Sequence, residues 1–475
     1  MDLSKKIDVL LAYPSEKMML HSSMMPLGLA SIAAVLEREK YKVRIIDFNF
    51  YKGEFIKELQ ELNPSVVGIG GTTPTRKGSF EIARMVKKAL PGVPVIYGGV
   101  HATFAAEDTL KNVSSIDYIL KGEGEFTFLE LCDILIRKKE VKIGAIPGIC
   151  FRRDENIFCS KPDRIEDLSI LPQPARHLFK NDYSFELDFF KVKTEMIITS
   201  RGCPAKCTFC SASQMFPGGV RTRPIDSIEK EIKMLIDSKG IKGLKIFDST
   251  FTADRKQVID FCRMIKPYHL MWECEIRADT VDFGLLKTMK EAGCCYLNIG
   301  LETTNKNLIK SINKQIDLTQ VENILHWCQT LEIKTKIFFI FGLFDETFKD
   351  CMADIKWLKK HKNLIDLYST SIGMKIYPGT ILEKQAKSRM LIKEDFSWFK
   401  FKPPMKNLLI GEFNDVPVLF QKQLNAVKLA VVSILLFLQG TALTPRYILI
   451  LFKKVVSITF VRILEMTGLF RKSKY

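Results

Sequence analysis

The sequence predicts an α/β fold in which a Rossmann-like N-terminal domain is followed by a partial (β/α)6 barrel and a C-terminal helical segment. Three observations carry that expectation. Short β-branched runs alternate with helical patterns in two successive series, five strands in the first and six in the second. Gly-rich segments fall just after strands of the first series, where α/β sheets bind ligands. With 475 residues, 47% hydrophobic and 26% charged, the chain has room for several domains of about 100–200 residues. That balance excludes a disordered or fibrous protein. The expected division is 1–140, a connector at 141–193, the barrel at 194–385 and an extension at 386–475.

In the first series the strands are expected at Ile7–Leu11, Val43–Asp47, Val66–Gly70, Val93–Tyr97 and Tyr118–Leu120. Helices are expected between them at Leu27–Glu39, Phe55–Leu62, Lys77–Leu90, Ala102–Leu110 and Glu125–Lys138. On the first helix Leu29, Ile32, Ala33 and Leu36 share one face. Such a series implies a parallel, doubly wound sheet. The connector has little periodicity and a Pro-rich stretch, Leu171-Pro-Gln-Pro174.

Strands of the second series are expected at Glu195–Thr199, Leu244–Phe247, Trp272–Ile276, Tyr296–Ile299, Thr335–Ile340 and Leu367–Ile376. Helices should begin near Asp226, Asp254, Asp282, Leu318 and Glu346. Asp226 with Glu229 suits a helix start, and Ile228, Ile232 and Leu235 supply its buried face. Six β/α units in order imply a full or partial barrel.

The net charge is +17, and nine Lys/Arg against Glu465 alone lie between Gln421 and Tyr475. That segment is also apolar. Its longest uncharged run, Leu429 to Pro445, is broken by Gly440 and falls short of the ~20 residues a spanning helix needs. Helices packed on the protein, or lying at a membrane surface, are the expectation. No nucleic-acid recognition motif accompanies the charge, so no nucleic-acid partner is expected. The N-terminus shows no secretory apolar region, so a cytoplasmic location is expected, and the basic, apolar C-terminal segment is expected to allow peripheral membrane contact. In that compartment the twelve Cys should form no disulfide framework. Cys132, Cys150, Cys159, Cys262, Cys328 and Cys351, and the pair Cys294-Cys295, suit small buried positions.

Cys203, Cys207 and Cys210 are clustered instead, after the first strand of the second series. A zinc site would need a fourth ligand, and the nearest later Cys is Cys262. Three thiols suit a 4Fe-4S cubane with one iron open to a small chelating molecule.

The CxxxCxxC spacing, with Phe209 before the last Cys, resembles the radical S-adenosylmethionine (SAM) superfamily. The resemblance continues through Phe247-Asp-Ser-Thr-Phe251 and Asn298-Ile-Gly-Leu-Glu-Thr303, then through Gly342–Thr347 and Tyr377-Pro-Gly-Thr380. It implies that Asp248 and Glu302 contact the SAM amine and ribose. It also sets Arg277 toward the SAM carboxylate or substrate, against an ordinary surface ion pair. Phe344 and Asp345 replace the family's Pro-Gly, a departure in that turn.

Residues before the barrel resemble the cobalamin-binding domain that precedes many members, in Pro26–Ala30, Gly70–Thr73, Gly98–His101, Gly122–Glu125, Ile146–Ile149 and Leu171–Arg176. The implied cobalamin contacts are Gly70, Gly71, Thr72, Gly98, Gly99, His101, Gly122 and Glu123. Glycine there lets the backbone approach a large flat cofactor and presents amides to a phosphate. His21 lacks the Asp that accompanies a cobalt-ligating His, so methylcobalamin without a protein His ligand is implied.

The resemblance as a whole implies a 4Fe-4S cluster on Cys203, Cys207 and Cys210, SAM, cobalamin, and a flavodoxin or ferredoxin as electron donor. It implies a 5′-deoxyadenosyl radical and methylation of an unactivated carbon. The alternative is oxidation or cyclisation, as in the anaerobic magnesium-protoporphyrin ester cyclase, whose C-terminal region Thr444–Leu449 resembles. A third reading is a corrinoid- or cluster-carrying module without catalysis. Arg201, Arg221 and Arg223 around the cluster loop either screen an anionic substrate or are surface charge. The sequence does not choose between a small-molecule, lipid or tetrapyrrole substrate.

Overall fold

The computed structural model describes residues 6–15, 24–399, 416–419, 421 and 423–438. Two seven-stranded sheets organise them. In the first, β1 (Val9–Tyr13), β2 (Val43–Asp47), β3 (Val66–Gly70), β4 (Val95–Gly98) and β5 (Tyr118–Leu120) run parallel in the order β2-β1-β3-β4-β5. Alternation along β1 decides which helix packs where. Val9 and Leu11 face the helices Leu27–Arg38 and Glu125–Leu135, while Leu10 and Ala12 face Phe55–Leu62 and Arg76–Ala89. A strand buried on both faces must be apolar throughout, and this one is.

The connector is more ordered than its sequence suggests. β6 (Ile149–Arg153) and β7 (Asn156–Cys159) extend the first sheet as antiparallel strands beyond β5. Cys150 and Cys159 face each other in this hairpin and form a disulfide, so they are not the isolated buried thiols expected. Periodicity could not reveal this, because a two-stranded edge hairpin is short and only half covered.

The second sheet begins with β8 (Phe185–Leu187), antiparallel to β9 (Phe190–Ile197). A short ribbon of β10 (Ser200–Arg201) and β11 (Arg221–Thr222) follows. Then come β12 (Gly243–Ile246), β13 (Met271–Ile276), β14 (Cys294–Glu302), β15 (Lys334–Phe341) and β16 (Leu367–Ile372). The order β16-β15-β14-β13-β12-β9-β8 is a curled half-barrel with six parallel strands, as predicted. Two helices start at the expected residues, where Asp254 accepts from the Gln257 amide at 3.1 Å and Asp282 from the Leu285 amide at 2.8 Å. Asp226 instead lies inside the first turn of the helix Ile225–Lys239, whose N-cap residue is Pro224 with no side-chain cap. The expected strand Leu367–Ile376 is instead split at Gly373, whose φ of 78° ends the ladder. Beyond it β17 (Met374–Lys375) pairs with β18 (Val418–Leu419).

The departure at Phe344-Asp345 is absorbed locally. Asp345 adopts φ 65° where the family has glycine, a conformation that Asp tolerates better than most residues. The Glu346 carboxylate closes the turn by accepting the Gly342 and Leu343 amides.

In the extension, the helix Ala426–Leu438 seats Leu429, Val432 and Leu436 in the barrel's helix-side core. Among the described residues no helix is long and apolar enough to cross a membrane. His21, Thr444–Leu449 and the basic tail beyond Leu438 lie outside the described residues.

Candidate active site

The cluster loop hangs from β10. Gly202, just before Cys203, has φ 101°, and a Cβ there would stand 2.4 Å from the Gly219 carbonyl oxygen. Only glycine fits, so the turn that delivers the three thiols is built into the backbone. Cys207 is buried, and Arg277 Nη1 lies 4.0 Å from its sulfur. Burial pushes its thiol up, while Lys314 and Arg277 pull the other way. The Thr250 hydroxyl lies 3.4 Å from Cys203 Sγ, and the Ala212 amide donates to Cys210 Sγ at 3.5 Å. Three thiols with a cationic surround fit an anionic thiolate cubane, which binds each sulfur through a different iron. Among the described residues no three His, Cys, Asp or Glu side chains converge as one metal ion would require.

Arg277 is fixed rather than surface-mobile. Its Nε and Nη2 donate to the Asp279 carboxylate at 2.9 and 2.8 Å, and Nη2 also reaches the Lys314 carbonyl at 2.9 Å. Glu302 ends β14 at φ 72°, where the register to β15 shifts, and its carboxylate meets Lys314 Nζ at 2.9 Å. A left-handed glutamate is strained backbone of the kind found at functional sites. Asp248 is fully occupied. Its carboxylate accepts from the Thr199 amide at 2.7 Å, the Thr199 hydroxyl at 2.5 Å and the Ser200 hydroxyl at 2.7 Å. It therefore pins the end of β9, and through it the start of the cluster loop.

Between the two domains lies a cavity of about 460 Å³. Gly70, Gly71, Thr72, Gly98, Gly99, Gly122 and Glu123 line it from the first domain, and Ser200, Arg201, Gly202, Phe247 and Ser249 from the barrel. A Cβ at Gly28 would meet nothing within 4 Å, and one at Gly98 only the Leu120 carbonyl at 4.0 Å. Both glycines line the cavity, so their lack of side chains keeps it open. Gly99 has φ 101° and packs against the Gly71 carbonyl too closely for any side chain, 2.5 Å from an added Cβ. This glycine-walled, mostly apolar cradle fits a large flat cofactor. His101 is not on its wall. It is fully buried, bonded to the Thr73 hydroxyl at 3.1 Å and packed near Phe80, Tyr97 and Trp398. Burial, and then Arg76, lower its imidazole to about 3, so it stays neutral.

The arginines around the cluster loop are held in ion pairs rather than left as free surface charge. Arg201 pairs with Glu123 at 2.6 Å and with Glu125, Arg221 pairs with Glu123 at 2.7 Å, and Arg223 pairs with Glu231 at 2.6 Å. Glu123, expected as a cofactor contact, thus also clamps the first domain to the cluster loop. Opposite charges some 80–100 positions apart cannot be matched from one sequence, which is why this clamp was not legible. Burial works against the Glu123 charge, but Arg221 and Arg201 hold its carboxyl below the usual range. The clamp's stabilisation is therefore complete above the unfolded carboxylate range, about pH 4–5, and is lost as pH falls through the depressed folded value. Limited proteolysis of the 141–193 segment should stay slow down to about pH 4 and accelerate below it. For Glu123→Gln it should already be faster at neutral pH.

Residues 20–132 match the B12 binding domain family and residues 197–358 the radical SAM superfamily. An uncharacterized methyltransferase of Pyrococcus horikoshii is 32% identical over 383 residues, 79% of this chain and 81% of that protein. The anaerobic magnesium-protoporphyrin IX monomethyl ester cyclase of Cereibacter sphaeroides is 28% identical over 305 residues, 61% of this chain and 48% of the cyclase. The radical SAM methyltransferase TsrM from Kitasatospora setae, solved with cobalamin and a 4Fe-4S cluster, shares the fold with a TM-score of 0.67 at 18% identity. The match covers 81% of this chain and 75% of TsrM.

Proposed function

Because the chain belongs to the B12-binding radical SAM superfamily, and is a cobalamin-dependent radical SAM enzyme, we propose that it transfers a methyl group to an unactivated carbon. When bound, the cluster, SAM and cobalamin supply the one-electron and methyl-transfer chemistry. The protein's own contribution is position and exclusion of water. Cys203, Cys207 and Cys210 would hold the cluster, with the cations of Arg277 and Lys314 beside Cys207 compensating charge. The glycine walls at Gly70–Gly71 and Gly98–Gly99 would hold cobalamin. Arg201 and Arg221 keep the two halves in one register through Glu123.

The observation that carries the methyl-transfer reading is the shared cavity. It brings the glycine wall of the first domain against Ser200, Gly202 and Ser249 of the barrel, beside the cluster loop. The 32% identity to a protein described as a methyltransferase supports it. Enzyme loaded with cluster and cobalamin, given methyl-labelled SAM and a flavodoxin or ferredoxin as reductant, is expected to release S-adenosylhomocysteine together with 5′-deoxyadenosine. Release of 5′-deoxyadenosine alone would favour oxidation or cyclisation. Neither product would leave only a carrier role.

A further inference from the structure

We propose that the outer face of the C-terminal helix Ala426–Leu438, with the lysine-rich helix packed beside it, docks on an anionic membrane surface. This proposal is independent of which reaction the active site performs. Leu429, Val432 and Leu436 turn inward and are buried. Val427, Val431, Ile434 and Leu438 are 62%, 41%, 51% and 71% exposed. At 100° per residue these four fall within an arc of roughly 60°, a continuous apolar stripe on the side away from the core. The helix is held in place by its inner face and by the Tyr368 hydroxyl, which donates to the Leu436 carbonyl at 2.8 Å. The stripe is therefore presented on a fixed surface.

Charge identifies the occupant. The neighbouring helix Phe348–Lys360 packs into the same core through Cys351, Ile355 and Leu358, and it exposes Lys349, Lys356, Lys359 and Lys360. Lys362 follows, also exposed. The acidic residues of that helix do not offset them at the surface: Asp354 is buried, and Asp350 is spent on the Thr347 cap and on Asn305. The helix Ala426–Leu438 itself exposes Lys428. An apolar stripe flanked by lysines matches the acyl-chain boundary beneath anionic headgroups, since the aliphatic side chains enter the interface while the ammonium groups stay at headgroup level. Among the described residues no helix is long and apolar enough to cross a membrane.

The test uses full-length holoenzyme and sedimentation with vesicles of phosphatidylcholine alone or mixed equally with phosphatidylglycerol. Binding is expected on the mixed vesicles only, and it should weaken with added salt. The triple variant Val431→Ser/Ile434→Ser/Leu438→Ser should lower the vesicle-binding constant at least about tenfold, because aliphatic area no longer leaves water. The variant Lys356→Glu/Lys359→Glu/Lys360→Glu should lose binding on the mixed vesicles to a similar extent. Both variants should keep wild-type melting and reductive SAM cleavage, which separates this proposal from the catalytic one. Absence of binding to either vesicle would overturn it. So would wild-type binding by both variants, even if cutting the chain after Leu438 abolished it, because the contact would then belong to the tail alone. A dimer by light scattering that the apolar variant dissolves would assign the stripe to a second copy and equally overturn it.

Discussion

Cys207→Ala is expected to take reductive SAM cleavage to background and to strip iron and sulfide from the reconstituted protein. The thiol is buried at the base of the loop, with Arg277 Nη1 4.0 Å away and Lys314 within electrostatic reach. Removing it leaves two thiolates for a cubane that needs three, and leaves the cationic surround without the charge it compensates. Iron analysis and the low-temperature electron paramagnetic resonance signal of the reduced protein measure this directly. Cys262→Ala is the matched control. That thiol is also buried but belongs to the barrel's helix-side core. Its loss should cost on the order of 1 kcal/mol of stability and no iron. A Cys207→Ala protein that still cleaved SAM would remove the cluster loop from the mechanism.

Arg176→Ala should produce the largest loss of stability. The guanidinium comes from the connector and sits in the barrel wall, donating to Glu231 at 2.9 and 2.7 Å, to Glu195 at 3.3 Å and to the Met196 carbonyl at 2.5 Å. Its side chain is 3% exposed and those of both carboxylates 1%. Taking away the cation leaves two buried carboxylates sharing only Arg223 and Lys239. Breaking such a pair typically costs about 3–5 kcal/mol, mostly the penalty of uncompensated buried charge. For a unit of this size that is a fall of on the order of 10 °C in melting temperature, measurable by calorimetry. Adding Glu231→Gln should return part of the loss, because it removes one stranded charge. If the double variant were no more stable than the single, packing rather than charge would account for the effect.

Arg176 also shows why some of this protein could be read from its residues and some could not. Leu171–Arg176 belongs to the resemblance, yet nothing in that stretch says its arginine reaches Glu231 and Glu195 in another domain. The strands were legible because short β-branched runs are a local property, and β2, β3 and β5 match their expected spans to the residue. The edge strands β6 and β7 were missed because a short hairpin covered on one side carries no distinctive period. The same limit concealed the Cys150–Cys159 disulfide, which depends on two strands being opposite each other. For the site, the three clustered Cys and the glycines after β3 and β4 were visible, since chemistry and backbone freedom belong to residue types. The partners of Asp248 and Glu123 were not, and both carboxylates turned out to hold other protein groups.

The opening expectation of two α/β units, and of three thiols set for an iron–sulfur cluster, came from the sequence by itself. Periodicity, turn chemistry and ligand spacing act over a few residues, and the order of residues records them. Only the tertiary structure decided that Arg201, Arg221 and Glu123 join the units across a common cavity, that His101 stays neutral inside the first domain, and that four aliphatic residues of the helix Ala426–Leu438 are exposed. Each of these depends on groups distant in sequence meeting, or failing to meet, in space. Burial and charge pairing act across space, so the order of residues does not record them.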